Sequence, residues 1–273
     1  MGHINAGKIL EKRRNFPRTA DIEPSRYKLR HMATDCYHCP LRDKPLFSPI
    51  AEDDLAETRR FKSGETVLER GEALMTQGAE SAHLYTVLDG YGLRYRVLPD
   101  GRRQVLNFVF PGDFIGLQAG VMGEMQHSVE ATTPMRLCRF ERDRFFAFIS
   151  GSAERAFELI WLAATEEVFL GEAMTTIGQR DAAERIAWAL VKIIRRSQAL
   201  DLGDGYAIPM PFRQQDLADA LGLSLVHTNK TLARLRDRQI VNWADRRLTV
   251  GDLSELERIA QMRDGPERVR PLI

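Results

Sequence analysis

The spacing of apolar residues changes once along this chain of 273 residues, close to Arg142. Between Phe61 and Phe140 apolar and polar residues alternate in short runs, and after Arg142 the apolar residues recur every three or four positions. Alternation is typical of half-buried strands, whereas the longer spacing is typical of amphipathic helices. The chain is also long enough for two domains. We therefore expect a β domain followed by a mainly helical region.

The alternating region contains short runs that are separated by turns with glycine. These runs are Thr66–Leu68, His83–Leu88, Leu93–Val97, Val105–Val109 and Met135–Phe140. The dipeptide Asp100-Gly101 lies between two of the runs and is a strong signal for a hairpin. Short strands at regular spacing predict a small antiparallel barrel or roll.

One long helix is predicted from Ala153 to about Arg180, because this stretch lacks proline and its seam has coiled-coil spacing. The seam residues are Ile160, Ala163, Glu167, Leu170, Met174 and Ile177. A seam of this kind pairs with a second helix, so it predicts a homodimer with two-fold symmetry. Glu167 either lies at the solvated edge of the seam or weakens the dimer so that a signal can control assembly.

Two short helices, about 213–220 and 224–238, are joined by Leu221-Gly222-Leu223. This is the spacing of a helix-turn-helix, and a predicted terminal hairpin around Ala244-Asp245 adds a wing. Residues 212–247 hold seven Lys/Arg and four Asp/Glu, although the whole chain has a net charge of only +1. This local excess of positive charge predicts a surface that faces DNA phosphates.

In a helix-turn-helix the first turns of the second helix enter the major groove of double-stranded DNA. We expect base or nearby phosphate contacts from His227, Asn229 and Lys230, and phosphate contacts from Arg213 and Arg234. The full set of predicted DNA-binding residues is Arg213, Gln214, Ser224, Val226, His227, Asn229, Lys230 and Arg234. Two such helices in a dimer predict a roughly palindromic DNA site.

These features together resemble the Crp–Fnr family of bacterial transcription regulators. The resemblance rests on Phe110–Gly116 at the end of the roll and on Gln214–Ser224, which is similar to the family's helix-turn-helix. A Cys36-x-x-Cys39 pair with Cys138 looks like the oxygen-sensing Fnr and FixK-like branch. The match runs from about residue 33 to about residue 260.

The resemblance implies an α+β chain with a β-roll of the cyclic-nucleotide-binding type, a dimerisation helix and a winged helix-turn-helix. The expected boundaries are a basic N-terminal arm at 1–32, a sensor roll at 33–150, the dimerisation helix at 151–180 and a DNA-binding domain at 181–273. It also implies a cytoplasmic regulator that works with RNA polymerase. Sequence motifs of the common enzyme classes do not occur, so we do not expect an enzyme.

Cyclic-nucleotide binding is not expected in the predicted roll. The family's ribose-binding Glu and phosphate-binding Arg fall at Leu117 and His127 here. Without those two charged ligands a buried cyclic phosphate would be uncompensated.

The three cysteines suggest a [4Fe–4S] cluster, for which four thiolates are the usual requirement. Cys36, Cys39 and Cys138 match three of the family's four ligands, while Pro45 and Phe47 occupy the spacings of the missing one. Candidate fourth ligands are Asp35, His38 and Asp43. The alternatives are a redox pair of Cys36 and Cys39, a mononuclear zinc site, and structural thiols without a sensing role.

Composition limits the remaining possibilities. An odd number of cysteines argues against a disulfide framework and for a reducing cytoplasm. The basic arm lacks the apolar core of a secretory signal, and no apolar run is long enough to span a membrane, so no membrane partner is expected. Two other functions remain open: a regulator of this type that has lost ligand and cluster sensing, and a ligand-binding module that acts through protein partners.

Overall fold

The computed structural model describes residues 33–205, 207–262 and 267–273. The helices are α1 (Glu52–Phe61), α2 (Leu117–Met122), α3 (Phe145–Ser150), α4 (Ala153–Gln179), α5 (Ala182–Ala199), α6 (Gln214–Leu221), α7 (Leu225–Asp237) and α8 (Leu253–Ile259). The strands are β1 (Lys62–Leu68), β2 (Ala73–Met75), β3 (His83–Asp89), β4 (Gly92–Val97), β5 (Arg103–Val109), β6 (Phe114–Ile115), β7 (Ser128–Ala131), β8 (Met135–Glu141), β9 (Ala207–Pro209), β10 (Val241–Ala244) and β11 (Arg247–Val250). The predicted basic arm at 1–32 lies outside the described residues.

The N-terminal half is a roll of two antiparallel sheets. One sheet has the order β1-β8-β3-β6 and the other has the order β2-β7-β4-β5. The β4–β5 hairpin turns at Gly101, whose φ of 87° is costly for residues with a side chain. The predicted roll and hairpin are confirmed, and the interior of the roll is filled by apolar side chains that include Met75, Met125 and Met135.

Helix α4 follows the roll and begins at Ser152, whose side chain accepts a hydrogen bond from the Arg155 amide. Helix α5 begins at a capping box in which Asp181 and Glu184 satisfy each other's backbone amides. The predicted long helix is therefore confirmed, together with the break before the next one. Trp188 on α5 stacks on Phe169 of α4, with ring centroids 5.9 Å apart.

The C-terminal helices form a helix-turn-helix with a wing. Gly222 ends α6 in the left-handed region at φ 63°, and Ser224 caps α7 by accepting the His227 amide. The wing strands β10 and β11 pair with β9 in a three-stranded antiparallel sheet. The predicted motif is confirmed within one residue at each boundary of α6 and α7.

The core runs without a break from the roll into the helical half. Its buried members include Phe140 in the roll, Leu190 on α5 and Leu217 on α6. Phe212, just before α6, packs on Phe108 of β5 with ring centroids 4.6 Å apart. Residues 33–273 accordingly pack as one unit, and the domain boundaries expected at 150 and 180 remain predictions.

Candidate nucleic-acid interface and thiol cavity

Helix α7 presents the predicted recognition residues on one exposed face. Val226 is 79% exposed, and Ser224, His227, Asn229, Lys230 and Arg234 are exposed as well. The opposite face of the helix buries Thr228, Thr231, Leu232 and Leu235 against the domain. The helix is therefore held by its apolar side, and its polar side is open to a DNA groove.

The two predicted residues at the start of α6, Arg213 and Gln214, are more constrained by contacts within the chain than those on α7. The guanidinium of Arg213 donates to the buried carboxylate of Asp216, with Nη2 to Oδ1 at 2.7 Å, and Gln214 is half-buried. Asp216 Oδ1 also forms an ion pair with Nη2 of Arg103 on β5, at 2.5 Å. Burial alone would raise the pKa of Asp216, but hydrogen bonds from Arg213 and Arg103 hold that pKa below its ordinary value.

The wing turns through Asp245 and Arg246, which both have positive φ near 50–60°. This conformation matches the two-residue turn that suits the twist of a hairpin. Arg247 donates to Asp204 at 2.9 Å. The positive charge of the wing therefore lies on exposed side chains at its tip.

The predicted dimerisation seam is uncovered in the single chain. Ile160 is 64% exposed, Leu170 47% and Met174 75%, and Ala163 and Glu167 are exposed too. Ile177 is half-buried. The residues that α4 buries against its own chain are different ones, among them Leu159, Leu162 and Thr176. The seam therefore faces solvent and does not pack against the core of its own chain.

The three cysteines line one small apolar cavity of about 30 Å³. Lys62 lies among them, and its ammonium donates to Glu65 at 2.9 Å and to the Thr34 carbonyl at 2.6 Å. Burial raises the pKa of each thiol, and that of Cys138 reaches about 12 although the Lys62 charge opposes the rise. The thiols are therefore protonated at neutral pH in this arrangement.

This cavity does not fit a preformed [4Fe–4S] cluster. Four thiolates are the usual requirement and only three cysteines are present, and the side chains of Leu272 and Ile273 occupy the space beside them. The candidate fourth ligands Asp35, His38 and Asp43 are exposed and do not line the cavity. Across the three described ranges, no group of three or more His, Cys, Asp or Glu side chains is arranged to hold a metal ion.

The roll also does not fit a cyclic nucleotide. His127 stands where the phosphate-binding Arg was sought and is 9% exposed. Burial, followed by the charges of Arg94 and Arg96, lowers the pKa of His127 to about 4, so the imidazole is neutral at pH 7. The guanidinium of Arg94 is itself engaged by Glu166 at 2.8 Å.

Sequence reasoning missed the contacts between the roll and the rest of the chain, of which two bear on the candidate sites. The first is the pairing of Arg103 with Asp216 and Asp219. The second is the segment 267–273, which returns to the roll and reaches the cysteines. Each contact joins residues more than a hundred positions apart, which no local spacing signals. None of the helices among the described residues is long and apolar enough to cross a membrane.

A β-roll, a long helix with an exposed apolar seam and a winged helix-turn-helix define the class of DNA-binding transcription regulators. Comparison with protein-family models agrees with this class. Residues 65–152 match the cyclic nucleotide-binding domain, and residues 184–259 match the Crp-like helix-turn-helix domain.

Known proteins with similar sequences are regulators too. The chain is 32% identical over 202 residues to the nitrogen fixation regulation protein FixK of Bradyrhizobium diazoefficiens, covering 73% of this chain and 83% of that protein. It is 26% identical to the transcriptional activator protein FnrL of Cereibacter sphaeroides, covering 81% of this chain and 90% of the relative. The solved structure of FixK2 from Bradyrhizobium japonicum has the same fold, with a TM-score of 0.66 at 24% identity over 74% of this chain and 98% of that one.

The chain belongs to the Crp–Fnr family of transcription regulators, near its FixK and Fnr members. It is a DNA-binding regulator and not an enzyme.

Proposed function

We propose that this protein is a homodimeric regulator that binds a roughly palindromic DNA site and responds to oxidation of its cysteines. The observation that carries the proposal is the convergence of Cys36, Cys39 and Cys138 on one cavity, although Cys138 lies on a distant strand. We also propose that it acts in the cytoplasm, where bacterial DNA lies, and that it works with RNA polymerase.

The exposed face of α7 supports base reading by Asn229 and Lys230. Asn suits adenine, and Lys suits the acceptors of guanine. The test is an electrophoretic shift assay with the double variant Asn229→Ala/Lys230→Ala on a selected operator. We expect a loss of affinity of at least about tenfold, since each good base contact contributes roughly 1–3 kcal/mol.

Arg258→Ala is the matched control for that assay, because Arg258 is an exposed cation of the same domain on α8 and pairs with Glu255. It should leave affinity nearly unchanged. Unaltered operator binding by the double variant would show that α7 is wrongly placed in the groove.

The exposed seam of α4 supports dimerisation, because an uncovered apolar stripe on a helix calls for a second helix. The two recognition helices of a dimer read half-sites one turn of DNA apart. The carboxylate of Glu167 lies within that stripe and is exposed. Sedimentation of the intact protein tests this part, and a monomer at every concentration would contradict it.

The sensing chemistry that we propose is oxidation of Cys36 and Cys39 once they are uncovered, because burial raises the pKa of both thiols and the thiolate is the reactive form. Cys36 and Cys39 lie at the two ends of a tight turn in which the Cys39 amide donates to the Cys36 carbonyl at 3.4 Å. The α-carbons of such a turn are within about 7 Å, which is the range a disulfide bridges. Their oxidation forms one S–S bond and passes two electrons and two protons to an oxidant. The oxidant is the azo group of diamide or the disulfide of oxidised glutathione.

Diamide treatment followed by the shift assay tests the sensing step. We expect the operator affinity of the wild type to change and then to recover with dithiothreitol, and Cys36→Ser to show no response. Cys138→Val keeps an apolar side chain on the strand and should still respond. A response that persists in Cys36→Ser contradicts the thiol pair.

Iron and sulfide assays after strictly anaerobic purification separate thiol oxidation from cluster assembly. We expect colourless protein without iron. Protein with four irons and four sulfides would replace thiol oxidation with a cluster, and indifference to both oxidant and iron would leave a regulator that has lost sensing.

A further inference from the structure

The segment 267–273 returns from the DNA-binding half and docks on the sensor roll. Arg270 forms a parallel β-bridge with Phe47. Its amide donates to the Leu46 carbonyl at 2.9 Å, and its carbonyl accepts the Ser48 amide at 3.0 Å. The segment therefore adds one short strand to the chain just after the Cys36–Cys39 turn.

Next to this bridge lies the turn at Gly112, between β5 and β6 of the roll. The ring of Phe47 packs so closely on Gly112 that a Cβ there would lie 2.0 Å from the ring. Gly112 also has φ 83°, which favours glycine. The residue that pairs with the segment, Phe47, therefore packs directly on a turn of the roll.

Asp113, the next residue of that turn, joins the segment to the DNA-binding half. Its Oδ1 accepts Nη1 of Arg270 at 3.2 Å and Nη2 of Arg196 on α5 at 2.7 Å. All three side chains are at most 13% exposed. Because one carboxylate holds both cations, a change in the position of the segment alters the anchor of α5.

The end of the segment closes the thiol cavity. Leu272 and Ile273 are 4% and 5% exposed and line the cavity together with the three cysteines. The Thr86 hydroxyl on β3 donates to the main-chain oxygen of Ile273 at 2.5 Å. Thr86 is paired in the sheet with Cys138, so the segment ends beside that thiol.

We propose that residues 267–273 are a built-in, displaceable ligand of the sensor roll that closes the thiol cavity and shares an anchor with α5. The cavity volume of about 30 Å³ leaves room for little more than water, so a larger group at the thiols has to displace lining side chains, and Leu272 and Ile273 belong to the segment without a covalent crosslink to the roll. Only non-covalent contacts hold the segment in its seat: hydrogen bonds from and to Leu46, Ser48 and Thr86, the ion pair of Arg270 with Asp113, and the two apolar side chains. Displacement therefore exposes the thiols and removes one cation from Asp113 in the same event.

Alkylation of Cys138 by iodoacetamide in the full chain measures whether the segment is seated. We expect Leu272→Asp to raise the rate constant at least about tenfold, because the thiol loses its cover. Val269→Asp is the matched control: it places the same charge in the same segment at a residue that is 57% exposed. The rate of the control should stay within about twofold of the wild type. Equal rates in the two variants overturn the proposal.

Hydrogen exchange of the wild type gives a second measurement that needs no variant. The amides of Arg270 and Ser48 should exchange far more slowly than in an unstructured peptide, because each donates across the bridge. Ile273→Ala should speed both exchange and alkylation without disturbing the fold. Exchange of these two amides at the rates of a free peptide overturns the proposal. Neither readout uses DNA or an oxidant, so the outcome is independent of the proposed redox response.

Discussion

The ionic contact between the β4–β5 hairpin and the helix-turn-helix gives a prediction that can be worked out in magnitude. Arg103 reaches Asp216 at 2.5 Å and Asp219 at 3.0 Å, and the side chain of Asp216 is 1% exposed. Two unit charges 4 Å apart attract by about 4 kcal/mol at an effective dielectric constant of 20. Breaking a buried pair typically costs about 3–5 kcal/mol, because one charge is left without its partner.

Arg103→Met removes the charge and keeps an apolar stem against the Tyr95 ring, over which the guanidinium lies at 5.4 Å. Asp216 keeps its hydrogen bonds from Arg213, so the loss is smaller than for a bare carboxylate. We expect the free energy of unfolding to fall by about 2–3 kcal/mol. Arg102→Met is the matched control, since Arg102 is a neighbour in the same hairpin whose side chain is 77% exposed, and it should cost less than about 1 kcal/mol.

Urea unfolding at pH 7 measures both variants, and a double-mutant cycle with Asp216→Asn isolates the pair. The cycle should show a coupling of about 2 kcal/mol, because the two changes remove the same interaction. If Arg103→Met costs no more than Arg102→Met, or if the two single changes simply add, the ion pair does not hold the DNA-binding half to the roll.

Two further predictions concern His127 and the seam of α4. The pKa of His127 is lowered to about 4 in the folded protein, against 6.5 in the unfolded chain. Between pH 6.5 and pH 4 the unfolded chain therefore binds a proton that the folded protein does not, and the free energy of unfolding falls as the pH drops through this range. His127 should lower the free energy of unfolding by about 2 kcal/mol at pH 5. Urea unfolding at pH 7.5 and pH 5 should show this fall in the wild type and in His38→Gln, which changes an exposed histidine. The fall should be absent in His127→Gln. In the seam, Glu167→Ile should tighten the dimer in sedimentation experiments and Met174→Glu should weaken it, because an apolar stripe gains or loses contact area; an unchanged dimer in Glu167→Ile would place that carboxylate at the solvated edge.

Local patterns predicted most of the fold because they report local physics. Alternation placed the main strands of the roll, and the long run without proline placed α4 within one residue of its observed end. The turn glycine at 222 marked the helix-turn-helix because its φ of 63° favours glycine. Helix α1 at Glu52–Phe61 was not predicted, since its few apolar residues, Leu55 and Phe61 among them, give little periodicity.

The candidate sites were predictable only in part. The exposed residues of α7 follow from the helical repeat, and all lie on the face expected for a groove. The partners of the cysteines do not follow from any repeat: Lys62 and Ile273 come from opposite ends of the described chain. A resemblance drew attention to the thiols, but only the packing shows that the chain's own apolar side chains occupy the space beside them.

The docked arrangement leaves the recognition face of α7 open, with Val226 79% exposed. Contact between the roll and the helix-turn-helix therefore does not block DNA by covering that face. In the proposed dimer we therefore expect regulation to change how the two recognition helices are spaced or oriented, because half-sites lie a fixed turn of DNA apart. Arg103 and Asp113 each tie the DNA-binding half to the roll, at α6 and α5 respectively. We expect that loosening either tie lets the helices re-orient in the proposed dimer, so that the proposed signal alters DNA binding through only a few charged contacts.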